Sequence, residues 1–116
     1  MPQPTMGFER YDVLTALSSF LDTPVRKPRP VMVLSSNAFN AANAHVITAM
    51  ITTSAERRWP SDRPIIDLPA AGLRHPSVIR SKLFMLPYSS VGRWIGHVSA
   101  PARTARAAHF EHILHA

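Results

Sequence analysis

Eleven prolines divide this chain of 116 residues into short segments, and their spacing most limits what it can fold into. Proline has no backbone N–H, so within a sheet it is confined to the first residue of a strand, to an edge strand or to a bulge. The longest segments are rich in Val, Ile and Thr, which favour strands. The pattern therefore predicts several short strands separated by loops.

The strand-like segments are followed by one segment of helical pattern. We predict strands at residues 10–17, 30–35, 45–53, 63–69, 75–87 and 91–99, with a turn or short helix at 37–44. Phe110, Ile113 and Leu114 lie at helical spacing after the candidate N-cap Ser99, which predicts a helix over 101–114. Short strands at regular spacing indicate a mainly β fold, a small barrel formed by one domain over residues 1–116.

Composition restricts the environment of the chain. It contains no cysteine, which excludes disulfides and thiolate chemistry. No window approaches the roughly 18 apolar residues of a membrane span. Residues 1–12 lack the apolar core of a signal peptide. We therefore expect a cytoplasmic protein that does not contact a membrane.

The charge is strongly positive and unevenly distributed. The formal net charge is +6, and 11 of the 13 basic residues are Arg. Residues 68–110 contain no Asp or Glu. The planar guanidinium of Arg suits bidentate phosphate binding, so a polyanionic partner such as a nucleic acid is favoured. The alternative is a basic surface that serves only solubility.

Basic residues form three groups that could meet a nucleic acid. The groups are Arg26, Lys27 and Arg29; Arg57, Arg58 and Arg63 around Trp59; and Arg74, Arg80 and Lys82. An aromatic side chain among arginines can stack on a base while the arginines hold phosphates. The alternatives are that Trp59 caps the core and that the third group is an ordinary exposed sheet face.

Histidines give only weak support for a metal site. His109, His112 and His115 repeat every three residues on the predicted helix, but no carboxylate or cysteine completes a ligand set. We interpret them as a solvated helix face and expect no metal ion and no other cofactor.

Four segments, in order, resemble the PemK/MazF toxins of type II toxin–antitoxin systems. They are "RPVMVLSS", "ITAMITTS", "GLRHPSVIR" and "GRWIGHVS", and the resemblance extends over residues 8–116. The "AFN" at 38–40 is also found in Kid-like members of the family. Each motif alone is weak, but four with natural spacing identify the chain as a member.

This resemblance implies a fold, an activity and partners. The fold would be an SH3-like barrel of five to seven strands with a C-terminal helix, usually a homodimer. The activity would be that of a sequence-specific endoribonuclease (an mRNA interferase), which cleaves single-stranded RNA without a metal when the 2′-OH attacks the phosphate. A cognate antitoxin would block the RNA groove.

The resemblance also assigns site residues. Catalytic roles fall on Arg29 and Thr52, which match MazF-type positions, and on Arg80, which matches a Kid-type position. The Kid-type Asp two residues later is replaced by Lys82. We predict that the remaining RNA contacts come from Arg26, Lys27, Thr53, Ser54, Arg57, Arg58, Trp59 and Lys82.

Some alternatives stay open at the level of sequence. His45, His75 or His97 could accept the proton, since Arg is a poor base. Arg29 could instead pair with Asp12 or Asp22. The chain could also be a barrel that binds antitoxin or RNA without cleaving RNA, or a gyrase-binding toxin in the manner of the CcdB proteins.

Overall fold

The computed structural model describes residues 7–17, 28–53 and 59–114, without the side chains of 100–106. Within these described residues, six strands and three helices follow one another. They are β1 (Asp12–Ala16), β2 (Arg29–Val33), α1 (Asn37–Asn43), β3 (His45–Thr53), β4 (Arg63–Pro64), α2 (Leu68–Ala71), β5 (Ser77–Pro87), β6 (Val91–His97) and α3 (Ala100–Leu114). A short 3-10 turn, Tyr88–Ser90, joins β5 to β6.

The strands form one antiparallel sheet in the order β4-β5-β3-β2-β1-β6. In the described part of the chain β4 and β6 are the edges and do not pair with each other, so the sheet is open where a barrel would close. The mainly β fold with a C-terminal helix is confirmed, and six strands agree with the predicted five to seven. The predicted helix over 101–114 corresponds to α3.

Both faces of the sheet are apolar, because successive strand residues point to opposite sides. On one face, Val13, Met32 and Ile51 form a cluster with Phe110 of α3. On the other face, Leu14 and Val31 belong to a second cluster, which also contains Phe8, Ala16, Val33, Val46 and Leu86. Burying one such side chain is worth about 1.5–3 kcal/mol, so the two clusters fix the register of the strands.

Asn40 holds α1 against the start of the chain. Its side chain is completely buried; its Nδ2 donates to the carbonyl oxygens of Phe8, at 2.8 Å, and Ser35, at 3.2 Å. Its Oδ1 accepts a hydrogen bond from the Ser35 hydroxyl. Because a buried amide is costly unless it is hydrogen-bonded, the "AFN" motif has a structural explanation here.

The predicted strand at 63–69 is wrong beyond its second residue. Only Arg63–Pro64 pairs with β5, and Leu68–Ala71 is a helical turn. The Asp67 side chain accepts a hydrogen bond from the Ala70 N–H at 3.2 Å and so caps α2. Pro64 lies in β4, an edge strand of the sheet, where proline is tolerated.

Gly72 ends α2 with a positive φ of 74°, where a side chain would also meet the backbone of Ile95 in β6. Glycine is required there for both reasons. Within the described residues, no helix has both the length and the apolar character needed to cross a membrane.

Candidate active site

Arg29 and Thr52 lie at the same end of two neighbouring strands. Arg29, the first residue of β2, pairs with Ala16 of β1. The pairing of β2 with β3 runs from Val33–Thr48 to Val31–Met50. Continued in the same register for two more residues, it would bring Arg29 opposite Thr52.

The Arg29 guanidinium has no partner among the residues that the structure describes. Arg29 is half-buried at the first position of β2, where Pro30 fixes the following φ. None of the described residues forms a hydrogen bond or ion pair with its guanidinium. A guanidinium whose donors are not used by these residues is suited to bind an anion.

Asp12 is not a partner of Arg29. It lies at the opposite end of β1, where it pairs with His97, and its Oδ2 accepts the Glu9 N–H at 2.8 Å. Burial raises the pKa of the Asp12 carboxyl above its ordinary value, and this effect outweighs the hydrogen bonds from Glu9 and Trp94 that lower it. The other proposed partner, Asp22, lies outside the described residues.

Arg80 has a very different environment, because its guanidinium is held by Asp62. Arg80 Nε lies 3.1 Å from Asp62 Oδ1, and Arg80 Nη2 lies 2.9 Å from Asp62 Oδ2. The two side chains are only 12% and 4% exposed, respectively. The Arg80 guanidinium carbon also lies 5.3 Å from the centroid of the Trp59 ring. This is a bidentate, largely buried ion pair with an aromatic neighbour.

Residues Trp59 to Asp62 form a tight turn that is braced at several points. The Asp62 N–H donates to the Trp59 carbonyl at 3.0 Å, and the Trp59 N–H donates to Asp62 Oδ2 at 3.0 Å. Arg63 Nη1 donates to the carbonyls of Pro60 and Asp62. His109 Nε2 of α3 lies 3.0 Å from the Ser61 carbonyl. The turn is therefore fixed from both sides, and Trp59 belongs to neither core cluster.

The Asp62 carboxylate was missed by the sequence reasoning, which looked for an acid near Arg80 along the chain. It comes from 18 residues earlier. The sequence does contain a signal for the turn that carries Asp62. An Asp three residues after Trp59 can accept a hydrogen bond from the Trp59 N–H and close a turn. The position two residues after Arg80 is still Lys82.

Lys82 lies at an irregularity in β5. Ala49 pairs with Leu83 but Met50 pairs with Arg80, so Ser81 and Lys82 are two extra residues on β5. Such a bulge bends the strand and redirects its side chains. The Lys82 ammonium lies 5.9 Å from the centroid of the Phe84 ring, and Lys82 is half-buried.

The three candidate histidines lie at different ends of the sheet. His75 is exposed and precedes Ser77, which pairs with Thr53 at the end of β3. His45 begins β3, and at about 3.3 Å per residue it lies roughly 23 Å from Thr52. His97 pairs with Asp12, at the end of β1 away from Arg29. Among these three, only His75 lies at the same end of the sheet as Arg29 and Thr52.

The structure describes only some of the other predicted site residues. Thr53 is exposed at the end of β3, next to Thr52. The predicted RNA contacts that lie outside the described residues are Arg26, Lys27, Ser54, Arg57 and Arg58. In the described ranges no three His, Asp or Glu residues are placed to hold a metal ion together.

A cavity of about 560 Å³ opens beside the Trp59 turn. Its walls are mostly apolar, and Asp62 and Ser77 are its polar members. The lining residues are Trp59, Pro60, Asp62, Pro64, Ile65, Leu68, Pro76, Ser77 and Val78. Val78 pairs directly with Thr52, so the cavity begins one strand away from the Arg29–Thr52 position.

The sequence profile of the PemK-like, MazF-like toxins of type II toxin–antitoxin systems matches residues 9–112. The chain belongs to this family. The match includes both the Arg29–Thr52 position and the Trp59 turn. A search of curated proteins finds no match.

Solved structures show the same fold for this PemK/MazF-like chain. One is a mycobacterial endoribonuclease in complex with its cognate antitoxin, with a TM-score of 0.71 and 18% identity; 93% of this chain and 95% of that chain are covered. Another is the Mycobacterium tuberculosis toxin MazF-mt6, with a TM-score of 0.67 and 27% identity over 87% and 93% of the two chains. A MazE–MazF complex from Deinococcus radiodurans has a TM-score of 0.69 and 13% identity over 92% and 94%.

Proposed function

We propose that this PemK/MazF-like toxin is an endoribonuclease that cleaves single-stranded RNA at short sequences without a metal ion. The observation that supports the proposal is that Arg29 and Thr52 lie at the same end of the paired strands β2 and β3, with an Arg29 guanidinium that no described residue engages. The net charge of +6 favours a polyanionic substrate.

The reaction would be a transesterification. The ribose 2′-OH attacks the adjacent phosphorus, the bond from phosphorus to the 5′-oxygen breaks, and the products are a 2′,3′-cyclic phosphate and a 5′-hydroxyl. Arg29 would stabilise the extra negative charge that develops on the phosphate oxygens. Such preorganised stabilisation is usually the largest contribution to catalysis.

Thr52 and a base would complete the site. The Thr52 hydroxyl would hydrogen-bond a phosphate oxygen or orient the attacking 2′-OH. His75 is the histidine that we propose as proton acceptor, since it lies at this end of the sheet and is exposed. The leaving 5′-oxygen would then take up a proton from an acid or from water.

The proposed partners follow from the family and its neighbours. A cognate antitoxin would cover the RNA site, as two of the similar structures are complexes with an antitoxin. We also propose a homodimer, for which a solution mass of two chains at micromolar concentration is the test. A cytoplasmic location agrees with a chain without cysteine.

The direct test is incubation of the purified protein with a long single-stranded RNA in the presence of EDTA. We expect fragments with defined ends that carry 2′,3′-cyclic phosphates, and no cleavage of the duplex form of the same RNA. An intact RNA that nevertheless binds the protein would identify a non-cleaving toxin. A requirement for added metal would contradict the proposed chemistry.

A further inference from the structure

We propose that the cavity beside Trp59 is a subsite for one nucleobase of the RNA, and that the Asp62–Arg80 pair positions the Trp59 ring for this contact. This inference rests on the proposed RNA substrate. It assigns Arg80 to base recognition through Trp59, as a positioning residue, and leaves the charge of the reacting phosphate to Arg29.

The first support is that contacts within the protein already hold the Trp59 ring in place. Arg80 lies 5.3 Å from the ring centroid, and its own position is fixed by two hydrogen bonds to Asp62. The backbone of Trp59 is closed into the same turn by Asp62. Even so, Trp59 remains 42% exposed and lines the cavity. An aromatic surface that is rigid before binding loses little entropy when it stacks on a ligand.

The second support is the chemistry of the cavity walls. Proline, leucine, isoleucine and valine side chains surround a space of about 560 Å³, which is within the usual range for small-molecule sites. The Ser77 hydroxyl donates its proton to the His75 carbonyl at 2.8 Å, so towards a ligand it can only accept. A nucleobase has apolar faces and N–H donors at its edge, and both features match these walls.

The third support is location. Val78 in the cavity wall is the direct partner of Thr52, and adjacent strands are about 4.8 Å apart. A base in the cavity would therefore belong to a nucleotide close to the phosphate bound by Arg29. The charge on this side is also suitable, because Arg74 is exposed just before Pro76 of the cavity wall.

The experiment uses Trp59 as its own probe. The chain has two tryptophans, so Trp94→Phe leaves Trp59 as the single tryptophan, which is excited selectively at the red edge of the absorption band, and Arg29→Ala in the same chain keeps the RNA intact. We would titrate this variant with poly(U), poly(C) and poly(A), and with a ribose–phosphate strand that lacks bases. Fluorescence reports stacking on Trp59, and the anisotropy of a labelled strand reports total binding.

We expect the base-bearing strands to quench Trp59 and the abasic strand to bind without quenching. Trp59→Ala should weaken binding of the preferred polymer by roughly 5- to 150-fold, the effect of one stacked base. Trp59→Phe should retain most of the affinity, and Trp94→Ala, which removes the other exposed tryptophan, should not change it. Arg80→Lys should keep the charge yet increase acrylamide quenching of Trp59, since Lys cannot form the bidentate pair.

Failure of this inference and failure of the proposed function are separable. If the wild-type protein cleaves RNA but Trp59→Ala binds as tightly as the wild type, the cavity is not a base subsite. If base-dependent quenching occurs but the wild type never cleaves RNA, the proposed nuclease activity is wrong and the proposed base subsite is supported. Quenching by a co-expressed antitoxin and not by any polymer would assign the cavity to a protein partner, and no binding of any polymer would overturn both proposals.

Discussion

Arg29 and Arg80 are both arginines on strands of the same sheet, but their surroundings give them different chemistry. Arg29 is half-buried at a strand start, and no described residue pairs with its guanidinium. Arg80 is bound by Asp62 through two nitrogens and lies against Trp59. In the extended sheet their Cα atoms are about two strands and two residues apart, roughly 12 Å.

The difference shows that positive charge alone does not identify a phosphate-binding arginine. A guanidinium whose charge is already matched by a buried carboxylate offers little net field to a phosphate, and separating the pair would leave Asp62 unpaired. An arginine that no described residue engages, such as Arg29, has no such cost. The resemblance to the family assigns catalysis to both residues, and we propose that Arg29 is the one that meets the reacting phosphate.

The largest expected effect comes from breaking the ion pair. Asp62→Asn leaves Arg80 charged without its partner at a position with little exposure, which should lower the free energy of unfolding by about 3–5 kcal/mol. Arg29→Ala, the matched change at an arginine that no described residue engages, should alter the free energy of unfolding by no more than about 0.5 kcal/mol. Urea denaturation measures both values. Similar losses for the two variants would remove the distinction between the two arginines.

Arg29→Ala should instead act on catalysis. Loss of a preorganised charge donor costs about 3–4 kcal/mol of transition-state stabilisation, a factor of roughly 10² to 10³ in the cleavage rate. Arg29→Lys should recover only a small part, because an ammonium lacks the planar fork. Single-turnover cleavage of an RNA gives the rates, with Arg93→Ala on the edge strand β6 as the control for lost surface charge. An Arg29→Ala variant that cleaves at the wild-type rate would contradict the assignment.

Thr52→Val should have a smaller effect at the same position. It removes one neutral hydrogen bond while keeping the shape of the side chain, a change worth about 0.5–1.5 kcal/mol, or roughly 2- to 10-fold in rate. Thr52→Ser should restore most of this loss, and Ser89→Ala, in the exposed turn between β5 and β6, is the control. If Thr52→Val and Ser89→Ala reduce the rate equally, Thr52 has no special role beside Arg29.

The smallest expected effect concerns the Asp12 carboxyl, which, unlike Asp62, is not paired with an arginine among the described residues. Burial raises the pKa of Asp12 above its ordinary value of 3.8. At a pH between the unfolded and the folded pKa, the folded chain therefore holds a proton that the unfolded chain has mostly lost. The resulting stabilisation is present below the unfolded pKa and is lost as pH rises through the folded pKa. Asp12→Asn lacks this dependence, so the variant should gain stability relative to the wild type as pH increases from acidic to neutral.

Parallel denaturation curves over that pH range measure this difference. The hydrogen bond from the Glu9 N–H can be retained by the Asn oxygen, so the comparison isolates the charge. A difference between the two proteins that does not change with pH would show that burial does not disfavour the Asp12 carboxylate.

The positions of most strands along the chain could be predicted from the sequence, because local backbone and side-chain preferences control them. Pro30 and Pro64 mark strand positions where no N–H is needed, and the β-branched run at His45–Thr53 is a strand with the predicted bounds. The strand predicted over 63–69 failed because a local competitor, the Asp67 cap with Pro69 in the first turn, forms α2. A capping hydrogen bond of this kind is decided by side-chain geometry that apolar patterning does not report.

At the candidate site, the sequence by itself indicated Arg29 and Thr52 through their match to the family motifs, and both lie at the same end of the paired strands β2 and β3. Only the tertiary structure determined which group the Arg80 guanidinium contacts. Asp62 reaches it across 18 residues, through a turn that Arg63 and His109 of α3 hold in place. Whether an arginine can offer its charge to a ligand depends on which group it contacts in space, and contacts between distant residues are set by packing and not by local sequence.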